Sequence, residues 1–395
     1  MTRSPARVRW GWLWSPRTDL LWNFLPFWLG FVLAAALFAT RGSGTAADPG
    51  WSFGWGGTNV KVLAVVMALY GPLIDGPHLW GTIARTYTDA EEWAQRRWLF
   101  ISSLLAFLIG PVLILTPYVI NTVIPLSAST LDVGFQAWSL AFGTYATFHI
   151  NKQHWGFVSL YKRKNGENDA REARIDSWFF NIAIWAPYIA MTQAPWDGTA
   201  TPLQAALYTT CHAVFLTLVL AYGAYQIVQW QKGRTRNGPK LAYMATVLAL
   251  YYVTFACDPR LAAFWVLITS TGHCLQYHAV VWQYGTKKYG EKGQRKLPNL
   301  IFDNLWLYAV LGLGYALFTF QGPGAGLFKR TTASLLNQGM FANLFHLSSD
   351  DGMALGLKVM AAFISGVRLH HFYVDSKIWR VSKSAALAKN LDLAK

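Results

Sequence analysis

The sequence predicts an all-α fold, a polytopic integral membrane bundle of about ten transmembrane helices with N-terminus and C-terminus in the cytoplasm. Three observations predict it. Hydrophobic residues make up 53% of the 395 residues and charged residues only 13%, against about 25% charged in an average soluble domain. Apolar runs long enough to cross a bilayer recur along the chain, and Lys and Arg collect in alternate connections between them.

The spans follow from the length of these apolar runs, since a hydrocarbon core of about 30 Å needs about 20 residues of helix. In chain order the candidate spans are 21–40, 60–80, 98–119, 137–160, 177–193, 203–230, 241–257, 261–284, 301–320 and 353–375. They form a single membrane domain, 1–395, with three further parts. These are a basic cytoplasmic segment at 1–20, a long outer loop at 321–352 that could hold an interfacial helix, and a cytoplasmic tail at 376–395.

The distribution of Lys and Arg among the connections predicts the orientation of the spans in the membrane. The connections after the second, fourth, sixth and eighth spans are basic or mixed, whereas the connection at 120–136 has no Lys or Arg. Ten spans with both termini inside place every strong basic cluster in the cytoplasm, as the positive-inside rule requires. The net charge of +15 is therefore explained by topology and anionic lipid headgroups, and no nucleic-acid partner is expected. A multi-pass protein of the inner (plasma) membrane is predicted.

Histidines collect on one side of this topology. Seven of the nine fall at the cytoplasmic ends of four even-numbered spans. They are His78, His149, His154, His273, His278, His370 and His371. Ionisable residues within a membrane are rare and usually mark a site, so these seven are the candidate metal ligands. His212 and His346 lie elsewhere and are interpreted as a helix-packing residue and a loop residue.

Carboxylates and amides accompany the histidines. The supporting residues are Asp75, Gln153, Gln276 and Asp375. Asp75 precedes His78 by three residues and Asp375 follows His371 by four, and both spacings place the pair on one helix face. Imidazoles with nearby carboxylates suit iron, copper or zinc. The alternative to a metal site is a belt of polar residues that form hydrogen bonds between helix ends.

Two pairs share the spacing HxxxxH, at His149 with His154 and at His273 with His278. Five residues correspond to about 140° around a regular helix, so the two imidazoles of a pair point in different directions. Either a π-bulge brings them together, or one histidine binds the metal and the other orients it. Arg85, Arg368 and Arg380 are interpreted as snorkelling or lipid-binding cations.

These motifs resemble two groups of proteins. Broadly the chain resembles histidine-rich membrane iron enzymes, namely desaturases, hydroxylases and Brp/Blh-type carotene dioxygenases, although its spacing differs from the HxxxH and HxxHH boxes of desaturases. More locally it is similar to bacterial multi-spanning proteins of the UnbU-like group. The segments that carry this similarity are Asp75-Gly-Pro-His78, Arg85-Thr-Tyr87-Thr-Asp89, His149 to Phe157, His273 to Trp282 and His370 to Arg380.

The first functional hypothesis is a membrane metalloenzyme with one or two non-haem irons that oxidises a lipophilic substrate at a cytoplasm-facing site. No redox domain is recognised in the sequence, so electrons would come from a ferredoxin or reductase unless the reaction is a dioxygenation. No GxGxxG dinucleotide motif is present either. The alternatives are a metal or proton transporter, a protein that binds haem or another transition metal, and a non-catalytic assembly factor.

Overall fold

The chain folds almost wholly into helices, as predicted. The computed structural model describes residues 7–39, 52–55, 58–61, 65–66, 69–194, 200–257, 264, 266–290, 296–321 and 340–393. Its strands are short. β1 (Val8–Arg9) pairs in parallel with β4 (Arg236–Asn237), and β2 (Ser52–Trp55) pairs antiparallel with β3 (Thr58–Lys61).

The helices form two compact units. Unit 1 comprises Met1–Tyr70, Ile150–Val280 and Leu391–Lys395, and unit 2 comprises Gly71–His149 and Val281–Asn390. The first helices are α1 (Pro16–Asp19), α2 (Leu25–Ala39), α3 (Gly76–Thr86), α4 (Ala90–Ser103), α5 (Ala106–Asn121), α6 (Ala128–Leu131), α7 (Val133–Lys164) and α8 (Ala170–Gln193). The later ones are α9 (Pro202–Gln231), α10 (Gly238–Tyr252), α11 (Thr271–Tyr289), α12 (Leu297–Asp303), α13 (Leu305–Ala316), α14 (Met340–Phe345), α15 (Ser349–Ile378) and α16 (Ala385–Asn390).

Several helices continue into π-helical turns, and one short 3₁₀ turn precedes α16. The π turns are Leu20–Phe24, Gly71–Asp75, Val253–Cys257, Val266–Ser270 and Leu317–Gln321, and the 3₁₀ turn is Val381–Lys383. Two of the π turns adjoin helices that carry predicted ligands, since Gly71–Asp75 leads into α3 and Val266–Ser270 leads into α11.

In the described part of the chain, each of the ten predicted spans contains helix, although the span 60–80 begins in β3, and residues 40, 62–64, 67–68, 261–263 and 265 are not described. Fewer of these helices are apolar enough to cross a membrane. Within the described residues four helices are long and apolar enough, namely Pro16–Leu37, Ala90–Asn121, Pro202–Gln231 and Ser349–Ile378. A fifth span results if Leu297–Asp303 and Leu305–Thr319, bent by 108°, count as one. Helices such as α7 and α11 carry histidine, lysine and amide side chains, which lower their mean hydropathy. The number ten and the cytoplasmic termini stay predictions.

Three predicted segments lie partly outside the described residues. The outer loop at 321–352 includes 322–339, which are not described, and α14 belongs to its last part. The first residues of the basic segment 1–20 and the last two of the tail 376–395 are also not described.

In unit 2, close packing of α5 against α15 positions the helix that carries His370 and His371. A Cβ atom at Gly110 would lie 2.7 Å from the Cβ of Ala362, and one at Gly366 would lie 2.5 Å from the Cα of Phe107. Small residues allow such approaches between membrane helices. Helix α15 also contacts α3, which carries His78.

Candidate metal centre

Three buried histidines of unit 2 come together from three different helices. His78 lies on α3, His149 on α7 and His371 on α15, and they are 2%, 8% and 1% exposed. One ring nitrogen of each lies within 4.8 Å of those of the other two. Metal–nitrogen bonds of about 2.0–2.1 Å hold two ligands of one ion within about 4.2 Å of each other. Small side-chain rotations would therefore close this group around a single ion.

The ring of His78 is held by the helix turn before it. Its Nδ1 lies 3.1 Å from the backbone carbonyl oxygen of Asp75. A carbonyl only accepts, so Nδ1 carries the proton and Nε2 presents its lone pair. The Asp75 carboxylate is bound in turn by Arg368, whose Nε donates to Oδ2 over 3.0 Å. Such outer contacts fix the tautomer and direction of a ligating imidazole.

His371 is held by a relay through a hydroxyl. Thr82 donates to Oδ1 of Asp375 over 2.7 Å, and its Oγ1 lies 2.6 Å from Nδ1 of His371. Because the one hydroxyl proton goes to the carboxylate, Thr82 accepts from His371, and the proton of the imidazole is on Nδ1. The lone pair of His371 is therefore on Nε2, as in His78, and this nitrogen lies 3.7 Å from Oδ2 of Asp375.

His149 is supported by an aromatic ring. It stacks on Phe372, with centroids 4.4 Å apart and an interplanar angle of 24°. Its ring also meets that of His371, with centroids 5.1 Å apart. Phe372 follows His371 directly in the chain, so one segment of α15 supplies both a histidine of the group and the platform for another.

An apolar groove of unit 2 is connected to this group through Tyr145. Its volume is about 380 Å³. Its lining includes Leu105, Ile109, Trp138, Phe142, Tyr145 and Leu369. Tyr145 also packs against Phe372, with centroids 5.9 Å apart. One wall of the groove therefore touches the aromatic residue that carries His149.

The other predicted ligands occupy different surroundings. His370 faces Tyr87, with its Nε2 3.2 Å from the hydroxyl, and does not join the three-histidine group. In unit 1, His154 is fully buried and its Nδ1 lies 2.9 Å from the hydroxyl of Tyr243. His273 is also buried, and His278 is half-buried.

The predicted amides of unit 1 support backbone and ring groups. Gln153 donates to the carbonyl oxygen of His273 over 2.9 Å. Gln276 accepts from Tyr243 over 3.1 Å and donates to the carbonyl oxygen of Asn23 over 3.1 Å. Since the Tyr243 proton goes to Gln276, Tyr243 accepts from Nδ1 of His154.

Helix α7 excludes a π-bulge as the explanation of the HxxxxH pair at His149. It is a regular α-helix from Val133 to Lys164, without a π-bulge between the two histidines. The rings of His149 and His154 therefore point in different directions, one to Phe372 and one to Tyr243. Helix α11 is likewise regular from Thr271 to Tyr289, across His273 and His278.

Three contacts were missing from the sequence-based prediction or contradict it. Thr82 was not singled out, although it lies one turn after His78. Arg368 binds Asp75. The snorkelling interpretation is wrong for Arg85, which is 1% exposed and packs between Tyr284 and Trp379, 4.3 and 3.6 Å from their ring centroids. Cation–π contact with the two rings and a hydrogen bond from Nη2 to the carbonyl oxygen of Ile378 over 2.9 Å stabilise this guanidinium in the interior.

His212 has the place expected of a helix-packing residue. Its Nδ1 lies 3.0 Å from the hydroxyl of Tyr252, on the neighbouring helix α10. His346 lies in the turn after α14 with a positive φ of 54°.

Comparison of the chain with family models, with curated proteins and with solved structures finds no match. The functional argument therefore rests on the donor set, its supports and the groove.

Proposed function

We propose that this chain is a membrane-embedded metalloenzyme that oxidises a lipophilic substrate with non-haem iron. One observation carries the proposal: three buried imidazoles from three helices converge to within 4.8 Å. Each buried polar ring has a desolvation cost that ordinary packing would avoid by placing an apolar residue there. A bound ion gives all three a common partner.

The chemistry of the ligand atoms restricts which metal ions can bind. Neutral imidazole nitrogen suits iron, copper, nickel and zinc, whereas magnesium and calcium prefer oxygen. Iron is our choice because an apolar groove adjoins the group, and oxidation is the reaction that acts on unactivated hydrocarbon. Bound iron would supply dioxygen activation at its open coordination positions.

The protein's own residues would orient the ligating imidazoles and keep water away from the substrate. Asp375 acts through Thr82 to hold His371, and the Asp75 carbonyl holds His78, so two rings are directed before any ion binds. The groove would hold an apolar chain away from water, with Tyr145 at the wall nearest the aromatic support of His149. Together these features would align a hydrocarbon beside the ion.

The roles proposed for the remaining predicted ligands rest on the sequence alone. His273 is the proposed further ligand, because its predicted depth matches that of the others. His154, His278 and His370 are proposed for a second ion. With ten spans, the group faces the cytoplasm of the inner membrane, where a ferredoxin or reductase would deliver electrons.

The test is the metal content of the full chain purified in detergent under reducing, chelator-free conditions. We compare it with a His149→Ala/His371→Ala variant and with His212→Ala, a matched control that removes a histidine of another helix pair. We expect on the order of one or two irons per chain in the native protein and the control, and at least about a tenfold loss in the double variant.

Circular dichroism and size-exclusion chromatography establish that the double variant is folded. Metal-free native protein would overturn the proposal, as would a folded double variant that keeps its iron. A Soret band would show haem instead. Zinc in place of iron would retain the site and refute the oxidation.

A further inference from the structure

A second groove lies in unit 1, between α8 and α9. Its volume is about 480 Å³. Its lining includes Arg171, Arg174, Ile175, Trp178, Ile182 and Leu218. The two arginines are at the start of α8, and the rest of the groove is largely apolar. The groove thus has a cationic end and a hydrocarbon-like body.

The carboxylates nearest in sequence to these arginines are engaged elsewhere. Glu172 pairs with Arg236 over 3.2 Å and with Arg234 over 3.5 Å, and Asp169 also pairs with Arg234. Arg171 and Arg174 are exposed, and across the described part of the chain neither forms an ion pair. Both cations are therefore available to an anion from outside.

A second ion cluster beneath the groove is electrically balanced. Asp176 binds Lys240 over 3.0 Å and also binds Lys162, and Lys240 binds Glu167 over 2.8 Å. Two carboxylates thus meet two ammonium groups. Since Asp169 and Glu172 likewise balance two arginines, Arg171 and Arg174 remain as surplus cations in the lining of the groove.

The floor of the groove is rigid. Phe179 and Tyr222 stack with centroids 3.9 Å apart and an interplanar angle of 2°. The Tyr222 hydroxyl donates to Asp176 over 2.7 Å, so the ion cluster fixes the ring that closes the groove. A ligand would find this surface already formed, which lowers the entropic cost of binding.

The dimensions match one leaflet of a bilayer. Arg174, Trp178 and Ile182 recur every four residues and share one helix face. From Arg171 to Ile182 the helix rises by about 16 Å, and half of the hydrocarbon core is about 15 Å. Arginines at the headgroup level and apolar side chains below them fit a lipid that lies along the helix.

We infer that this groove binds an anionic phospholipid, with the phosphate at Arg171 and Arg174 and an acyl chain along Ile175, Trp178 and Ile182. The inference rests on the membrane embedding of the proposed function and is independent of the metal. The sequence places this end of α8 in the cytoplasm, where anionic lipids are abundant and each nearby cation adds attraction.

The test is native mass spectrometry of the full chain in detergent, titrated with dioleoyl phosphatidylglycerol or dioleoyl phosphatidylcholine. Arg171→Gln/Arg174→Gln is compared with Arg163→Gln/Lys232→Gln, which removes two exposed charges outside the groove. We expect the native protein and the control to bind phosphatidylglycerol at least about tenfold tighter than phosphatidylcholine. The groove variant should bind the two lipids with similar affinity.

A third variant, Ile182→Trp, fills the groove without changing charge and is expected to weaken lipid binding at least about fivefold. Equal affinity of the native protein for both lipids overturns the inference, as does a groove variant that keeps its preference. Full competition by free glycerol phosphate would show a phosphate site without an acyl chain, which also overturns it. Iron measured in the same preparations separates this failure from failure of the metal site.

Discussion

At the scale of single residues, the direction of one hydroxyl proton decides how His371 presents its ring. Thr82 gives its proton to Asp375 and accepts from Nδ1 of His371. The same carboxylate lies 3.7 Å from Nε2 of His371, so Asp375 orients the ring both through the Thr82 hydroxyl and by its own charge. Thr82 is therefore a positioning residue.

Replacing Thr82 with Val tests this role. The change keeps the shape of the side chain and removes the hydroxyl, so His371 loses its acceptor and Asp375 its donor. We expect iron affinity to fall by about 10- to 100-fold, the usual effect of losing an outer contact of a ligand. Competition with a chelator of known affinity measures it.

The control is Thr86→Val, one turn further along α3. The Thr86 hydroxyl is equally buried but donates to the backbone carbonyl oxygen of Thr82, 2.6 Å away. We expect iron affinity within about twofold of native for this variant, since no outer contact of a ligand is removed. A similar loss in both variants would show that α3 packing, rather than the relay, holds the site.

The sequence revealed part of this arrangement. The i,i+4 spacing marked Asp375 beside His371, and the i,i+3 spacing marked Asp75 beside His78. Thr82 escaped notice because threonine is common in apolar helices and nothing in its own spacing marks it. Only the pairing of α3 with α15 brings it to Asp375, and such long-range pairing is not encoded in local periodicity.

At the scale of elements, the start of α4 depends on Asp89. Its Oδ1 accepts from the backbone N–H of Glu91 over 2.9 Å, and its Oδ2 accepts from Lys288 over 2.7 Å and from Tyr289 over 2.6 Å. Burial of the carboxylate opposes ionisation, but these donors outweigh it and lower the pKa of Asp89 below its ordinary value of 3.8. The cap thus also joins α4 to the end of α11.

Asp89→Asn keeps a capping side chain but loses the charge. At pH 7 we expect the free energy of unfolding to fall by about 1–2 kcal/mol, because hydrogen bonds to a charged group are stronger than neutral ones. A carboxylate with a lowered pKa stabilises the fold above its unfolded pKa and loses that effect as the pH falls through its folded pKa. The difference from native should therefore shrink below pH 3.8.

Denaturant titrations in detergent from pH 7 to pH 3 measure this effect. Asp169→Asn is the control, since Asp169 caps α8 in the same way but is exposed, and its ion pair among the described residues is with the exposed Arg234. The decrease in the free energy of unfolding should be much smaller for Asp169→Asn than for Asp89→Asn. An Asp89→Asn deficit that stays constant with pH would contradict the role of the charge.

The positions of the helices were easier to predict than their π turns and bends. Long apolar runs predicted helix in the described part of every span, apart from the strand residues at the start of 60–80, because an apolar segment in a bilayer must satisfy its own backbone groups. The π turns were not foreseen, since an added residue in a turn leaves no mark in composition. The bend at Asn304 was also missed, although the side chain of Asn304 caps α13 through Trp306 and Leu307.

At the scale of the whole molecule, the predicted topology can be read out by labelling. In a variant without Cys211, Cys257 and Cys274, single cysteines replace residues of the connections. Ser129→Cys and Ala200→Cys occupy predicted outer connections, and Asn168→Cys and Lys232→Cys occupy predicted inner ones. All four positions are exposed.

A membrane-impermeant maleimide should label the outer pair in intact cells and the inner pair only after permeabilisation. The positive-inside rule is the physical reason, because basic connections resist translocation. Labelling of Lys232→Cys in intact cells would refute the ten-span order. Labelling of all four positions without permeabilisation would contradict a chain that spans the membrane.

The surroundings of Arg85 have a consequence for synthesis. Helix α3 carries Arg85, and the two rings that cover its guanidinium, Tyr284 and Trp379, are synthesised long after it. At about 5–20 residues per second, the roughly 290 residues from Arg85 to Trp379 take roughly 15–60 s to make. Until then Arg85 lacks both rings, so we expect its guanidinium to stay in contact with water or with the insertion machinery rather than with lipid.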